Sequence, residues 1–195
     1  MPQGQIEMDS YFAVCYLTLM KKTPLQKIAE STKVHTKKSD RGVVTLLLKD
    51  HRAMKKLMAK VQSKRATIAQ TFSAFSKLEK LVHSHMTSEE AALLERIKDH
   101  DKFEGETVEG LEEHHIHRVV INSIHQVKDP HRRAVRMKSF CEILEHHLKE
   151  EERDLFPRFK KYAALSTRKK MGKVFLKTRK KSRRPGEHFG ALARK

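Results

Sequence analysis

Only two cysteines occur in the 195 residues, Cys15 and Cys141, more than a hundred positions apart. The absence of any Cys-x-x-Cys pair excludes a zinc ribbon or a thioredoxin-type redox motif. Two isolated thiols suit a reducing compartment, so a cytoplasmic location is expected. Cys141, within the apolar stretch Phe140–Leu144, reads as a small core hydrophobe. Long apolar runs are also missing. The longest, Phe12–Met20, spans nine residues and contains Thr18, far short of the ~20 needed to cross a bilayer. It lacks the basic segment before it and the small-residue site after it that mark a secretory signal. Strand-like alternation is scarce, so no sheet is expected.

Lysine and arginine are abundant, 42 against 24 acids, and unevenly placed. From Arg158 to Lys195 there are fifteen basic residues and one acid, Glu187; residues 1–41 carry about +3, which leaves 42–157 near neutrality. A near-neutral body with a basic tail differs from a uniformly basic nucleic-acid-binding domain.

Helical periodicity dominates from about residue 41 to 162. Asp40 is placed to cap a first helix whose stripe runs through Val44, Leu47, Leu48, His51, Met54, Leu57, Met58 and Val61. A second helix is expected over 66–98, with Phe72, Phe75, Leu78, Val82, His85, Glu89, Leu93 and Ile97 on one face. After a loop containing Gly105, a third helix runs over about 107–127. Lys128-Asp129-Pro130 ends it and starts the fourth, with Asp129 as cap and Pro130 in the first turn. That helix extends to about residue 161, and Pro157 bends or terminates it. Four amphipathic helices on short loops predict an all-α, antiparallel up-down four-helix bundle. The domain reading is an extension at 1–40 with a short helix over Thr23–Ser31, the bundle at 41–162, and a mobile basic tail at 163–195.

The strongest chemical signal is a repeated pair, His85-x-x-x-Glu89 on the second helix and His147-x-x-x-Glu151 on the fourth. Residues i and i+4 stack on one helix face, so each pair presents a nitrogen and a carboxylate together. Both pairs lie on core-facing stripes, where charge is costly unless paired or metal-bound. Either pair alone reads more readily as a hydrogen-bonded core histidine beside a boundary glutamate; two pairs on alternate helices shift the balance to metal. A competing local reading makes Thr87-x-x-Glu90 a capping box that starts a new helix. The long stripe before Thr87 opposes it. The first helix offers His51. The third offers Glu113, His114 and His117: helical phase favours Glu113 and His117, and alignment with the first helix favours His114. His114 ranks first, His117 second, with Glu113 as an extra ligand. His83, His115 and His146 fall off the stripes and read as surface residues. Imidazole and carboxylate without thiolate favour iron or manganese, and six or seven converging ligands imply two metals rather than one zinc. Glu113 and Glu150 are the candidate acceptors for histidine ring N–H groups.

The order His51, His85-x-x-x-Glu89, Glu113-His114, His147-x-x-x-Glu151-Glu152-x-x-Leu155-Phe156-Pro157 resembles the hemerythrin-like HHE cation-binding domain over about residues 43–160. The resemblance implies a four-helix bundle around two non-haem iron ions bridged by carboxylates and an oxo or hydroxo group. Glu89 and Glu151 would then be the bridges, and His51, His85, His114 and His147 terminal ligands. Oxygen-carrying hemerythrins have a fifth histidine and a His-x-x-x-His pair on the third helix. Here that spacing is Glu113-x-x-x-His117, which makes His117 the candidate for the fifth nitrogen. The implied ligand is O2 or NO, for oxygen or iron handling or sensing. A redox enzyme that decomposes peroxide or donates iron in repair is the alternative. A metal-free helical bundle that binds nucleic acid through its tail is the third reading. The tail, with Lys169-Lys170, Arg179-Lys180-Lys181 and Arg183-Arg184, suits nonspecific contact with nucleic acid or another anionic surface. Val174-Phe175-Leu176 suits an amphipathic membrane contact.

Overall fold

The structure, a computed structural model, describes residues 42–182. Asp40, Thr23–Ser31, Cys15 and Arg183-Arg184 lie outside the described residues. Every regular element among the described residues is helical. Helix α1 spans Val43–Val61, α2 Ile68–Glu89, α3 Glu104–Gln126, α4 Pro130–Glu150 and α5 Leu165–Ser182. No described helix is long and apolar enough to cross a membrane.

Local chemistry sets most of the boundaries. Thr67 and Gln70 form a reciprocal capping box at the start of α2, satisfying two backbone N–H groups that the first turn leaves unpaired. The Asp129 carboxylate accepts the Arg132 N–H at 2.7 Å, and Pro130 occupies the first turn of α4, as its sequence requires. At α3, Glu104 and Glu106 place negative charge on the positive end of the helix dipole. Thr87 starts nothing: α2 passes straight through it.

Two features depart from regular α-helix, and both follow a His-x-x-x-Glu pair. A π-helical turn at Glu90–Leu94 extends α2 into Glu95–Ile97, with the Glu95 N–H bonded to the Glu90 carbonyl. A second, at Glu151–Leu155, carries α4 into Phe156–Tyr162, with the Phe156 N–H bonded to the Glu151 carbonyl. The wider turn buries neighbours that a regular helix would separate, Ala92-Leu93-Leu94 and Leu155-Phe156. Pro157, lacking an N–H, is accommodated after the second π turn, and the helix continues to Tyr162 rather than ending.

The core divides into two apolar clusters. One gathers the later part of α1 (Met54, Met58, Val61), Phe75, Leu78 and Val82 of α2, Val120, Ile121 and Ile124 of α3, and Phe140, Leu144 and Leu148 of α4. The other gathers Val43, Val44 and Leu47 with Leu93, Leu94, Ile97, Phe103, Leu155, Phe156 and Phe159. Residues 50–51, 84–89, 114–117 and 147–151, which fall between these clusters along the chain, supply a buried polar group. Cys141 belongs to the first cluster, and burial pushes its thiol up to about 12, as an inert core residue.

Residues 165–182 correct the expectation of a mobile tail. They form α5, which packs on α1, on α2 and on its π turn, and bury Met171 and Phe175 in the second cluster. Phe175 is therefore used inside the protein rather than held out for a membrane, while Leu176 beside it is exposed. Met171 and Phe175 sit four apart, one helical stripe hidden among lysines.

Candidate metal centre

All seven predicted ligands are buried: His51, His85, Glu89, His114, His117, His147 and Glu151 each expose 5% or less. They come from four helices and fall into two overlapping groups. In one, Glu89, His114, His147 and Glu151 each offer a donor atom, and these atoms lie within 4.8 Å of one another; in the other, His51, His85 and Glu151 do. The two carboxylates stand between the groups. Glu89 Oε2 is 3.2 Å from His85 Nε2 and 3.7 Å from His114 Nε2. Glu151 turns Oε2 to His51 Nε2 at 3.2 Å and Oε1 to His147 Nε2 at 3.7 Å. His117 belongs to neither group, but its ring packs against His147 with centroids 5.1 Å apart.

Four of the five histidines have the same orientation. Each turns Nδ1 outward to a carboxylate and Nε2 inward. His51 meets Glu152 at 2.9 Å, His85 meets Asp50 at 3.3 Å, His114 meets Glu90 at 2.9 Å, and His147 meets Glu113 at 2.6 Å. The pairing is cyclic: α1 supplies Asp50 to α2, the π turn after α2 supplies Glu90 to α3, and α3 supplies Glu113 to α4. Beyond α4, the π turn supplies Glu152 back to α1. A carboxylate on Nδ1 holds the proton there and leaves the Nε2 lone pair free for a cation. Of the two acceptors expected from sequence, Glu113 serves. Glu150 does not; it reaches His146 at 3.2 Å and Arg153 at 3.8 Å. Glu113, foreseen as an extra ligand, is turned to the far nitrogen of His147. Asp50, Glu90 and Glu152 were missed, although each adjoins a predicted ligand in sequence (Asp50-His51, Glu89-Glu90, Glu151-Glu152). Among the described residues no carboxylate is paired with His117; the polar group facing its ring is the backbone of Ile143. Of the histidines read as surface residues, His115 is exposed, whereas His83 and His146 are half-buried.

The inner atoms lack ordinary partners. His51 Nε2, His85 Nε2 and both oxygens of Glu89 and Glu151 are buried without a hydrogen bond, the contacts above being near in distance but misaligned. His114 Nε2 and His147 Nε2 face each other at 3.2 Å. With each ring donating from Nδ1 to its carboxylate, both Nε2 atoms carry lone pairs, and the two repel unless a positive charge lies between them. Two donors about 2.1 Å from one cation and at right angles lie roughly 3 Å apart. Buried atoms left unpaired cost about 1–3 kcal/mol each, a large share of the ~5–15 kcal/mol that holds a domain folded. The donor set fits a cation.

Titration behaviour carries the same sign. Burial and the charge of Glu89 push Glu151 up to about 8, so it holds a proton at neutral pH. Burial opposes charge on His85, but the Glu89 carboxylate 3.2 Å away and the charge of Glu151 outweigh it and raise His85. His147 is likewise raised against burial by Glu151 and Glu113. Glu89 is lowered: burial opposes its charge, and the nearby His85, His51 and His147 imidazoles prevail. Burial drives His51 down to about 4, and burial with the His147 charge drives His114 and His117 well below the usual range. The upward shifts of Glu151, His85 and His147 mark a site where added positive charge is favoured, the role a cation would take.

A helical bundle with a buried layer of imidazoles and carboxylates, four of the five imidazoles oriented from outside, defines a cation-binding class of fold. Within that class the chain belongs to the hemerythrin HHE cation binding domain family, whose model matches residues 42–159. No curated protein and no solved structure matches the chain. The family match covers the four bundle helices and stops short of α5.

Proposed function

We propose that the chain is a non-haem di-iron protein that binds O2 or NO at a carboxylate-bridged centre. His51 and His85 would hold one iron and His114, His147 and His117 the other, with Glu89 and Glu151 available to both. The observation that carries the reading is the pair of carboxylates placed between two groups of inward Nε2 atoms, with Glu151 offering a different oxygen to each. Imidazole and carboxylate donors without thiolate suit iron. Ferrous iron would supply the electrons that O2 or NO accepts. The half with two imidazoles has fewer protein donors than the half with three, so the small molecule binds there. Leu47, Leu93, Leu155 and Phe156, all buried, are the apolar residues near the layer that keep water from it.

The test is anaerobic reconstitution with ferrous iron, metal quantitation and an absorption spectrum titrated with O2. Two irons per chain and a band that forms with O2 and disappears under vacuum support the reading. Irreversible change with steady turnover of peroxide would assign the centre to a redox enzyme instead. Lys169, Lys170, Lys173, Lys177 and Lys180 on α5 are exposed, and we infer a nonspecific polyanion contact there. Its affinity for a DNA duplex should fall steeply with added salt and not depend on sequence.

A further inference from the structure

Helix α5 lies outside the family match yet reaches the ring of carboxylates around the histidines. Met171, Phe175 and Arg179 follow one another at intervals of four and form one stripe. Phe175 is fully buried, and the Arg179 guanidinium lies over its ring, 4.3 Å from the centroid. From there the guanidinium reaches both oxygens of Asp50: Nη1 donates to Oδ1 at 3.0 Å, and Nη2 contacts Oδ2. Oδ2 is the same atom that meets His85 Nδ1. Asp50 exposes only 4%, so its orientation depends on the groups that grip it.

The other cations of this outer ring come from within the bundle. Lys55 of α1 holds Glu152 at 2.7 Å, and Arg118 of α3 holds Glu90 at 2.5 Å. Asp50 takes its cation from α5. A guanidinium binds a carboxylate as a planar fork and sets its rotation, which a point charge does not.

We propose that α5 is a working part of the metal centre, with Arg179 as a positioning residue that fixes Asp50 and, through it, the His85 ring at the half-site made with His51. The inference rests on the reading that these histidines hold a cation. It assigns to a helix outside the family domain control over one half of the centre and not the other. Loss of Arg179 leaves Asp50 buried with, among the described residues, His85 alone to orient it; the His85 ring loses its fixed tautomer and direction, and the cation beside it is held less tightly.

The experiment is a cobalt(II) titration of the full chain, followed by d–d absorption, in which the two half-sites are read separately. In a His147→Ala background, which leaves the His51/His85 half, Arg179→Gln should weaken cobalt binding about tenfold. In a His51→Ala background, which leaves the other half, the same change should have no effect. Arg179→Lys should recover part of the loss, since it restores charge without the fork. Lys177→Gln, an exposed charge on the same helix, should change nothing in either background. Equal weakening of both halves would mean that α5 only supports the fold, and unchanged binding in the His147→Ala background would also overturn the proposal. If Arg179→Gln fails to fold, Arg179→Lys carries the test, with a few-fold loss confined to the His51/His85 half expected and an equal or absent effect contradicting it. A parent chain that takes up no cobalt would instead refute the metal reading itself, an outcome distinct from the others.

Discussion

On one side of the polar layer, His51 and His85 take their carboxylates from Glu152 and Asp50; on the other, His114 and His147 take theirs from Glu90 and Glu113. The plan is shared, one inward nitrogen per ring with its tautomer set from behind. The bracing is not. The first half is gripped by Lys55 and by Arg179 of a fifth helix. The second half has Arg118 on Glu90 and a third imidazole, His117, paired with no carboxylate among the described residues. A nearly repeated motif thus yields two unequal sites, because each carboxylate serves the helix next to its own and the helices have different neighbours.

The largest effect should come from removing what the halves share. Glu89→Ala with Glu151→Ala should reduce bound iron from two per chain to almost none after desalting, measured by metal quantitation. Next, His51→Ala should leave the half containing His114, and His114→Ala the half containing His51, each close to one metal per chain. If either single change empties both halves equally, the comparison fails. Third in size, Glu113→Gln and Glu152→Gln should each lower metal affinity roughly 10–100-fold, the first at His147 and the second at His51, as seen by competition with a chelator.

A pH effect follows with a definite sign. Glu151, held up at about 8, carries a proton in the metal-free chain at pH 7, and His85 and His147 are raised in the same direction. Cation uptake must displace the proton on Glu151, so at least about one proton should be released per chain. Because the empty site binds more protons than the filled one, affinity should rise with pH and level off above about 8, where Glu151 is already ionised. Calorimetry in buffers of different ionisation enthalpy measures the release. The smallest effect separates stability from binding. His117→Leu removes two buried nitrogens without hydrogen bonds, and should stabilise the metal-free bundle by about 1 kcal/mol in urea unfolding. The same change should weaken metal binding at the half containing His147 and leave the other half alone.

The bundle was legible in sequence because its stripes keep a helical period through four segments, and Asp129-Pro130 marks one boundary by itself. The His-x-x-x-Glu pairs were legible because i and i+4 share a face whatever the helix packs against. The outer carboxylates were half legible: Asp50, Glu90 and Glu152 adjoin ligands, but each serves a histidine on another helix, which only packing decides. On the third helix the choice between His114 and His117 stayed open because phase and alignment disagreed; the structure buries both. The π turns left little trace, since a carbonyl's choice of an i+5 partner depends on its surroundings; Pro157 hinted at one, and nothing hinted at the other. Helix α5 was misread as loose because its lysines obscured the Met171–Phe175–Arg179 stripe.

The account stands on two cations held side by side by shared carboxylates. Iron K-edge X-ray absorption on the anaerobically reconstituted chain tests that most directly. It should show nitrogen and oxygen scatterers only, together with an iron–iron vector within about 4 Å. A single iron per chain without a metal–metal vector, or a sulfur scatterer, would contradict it.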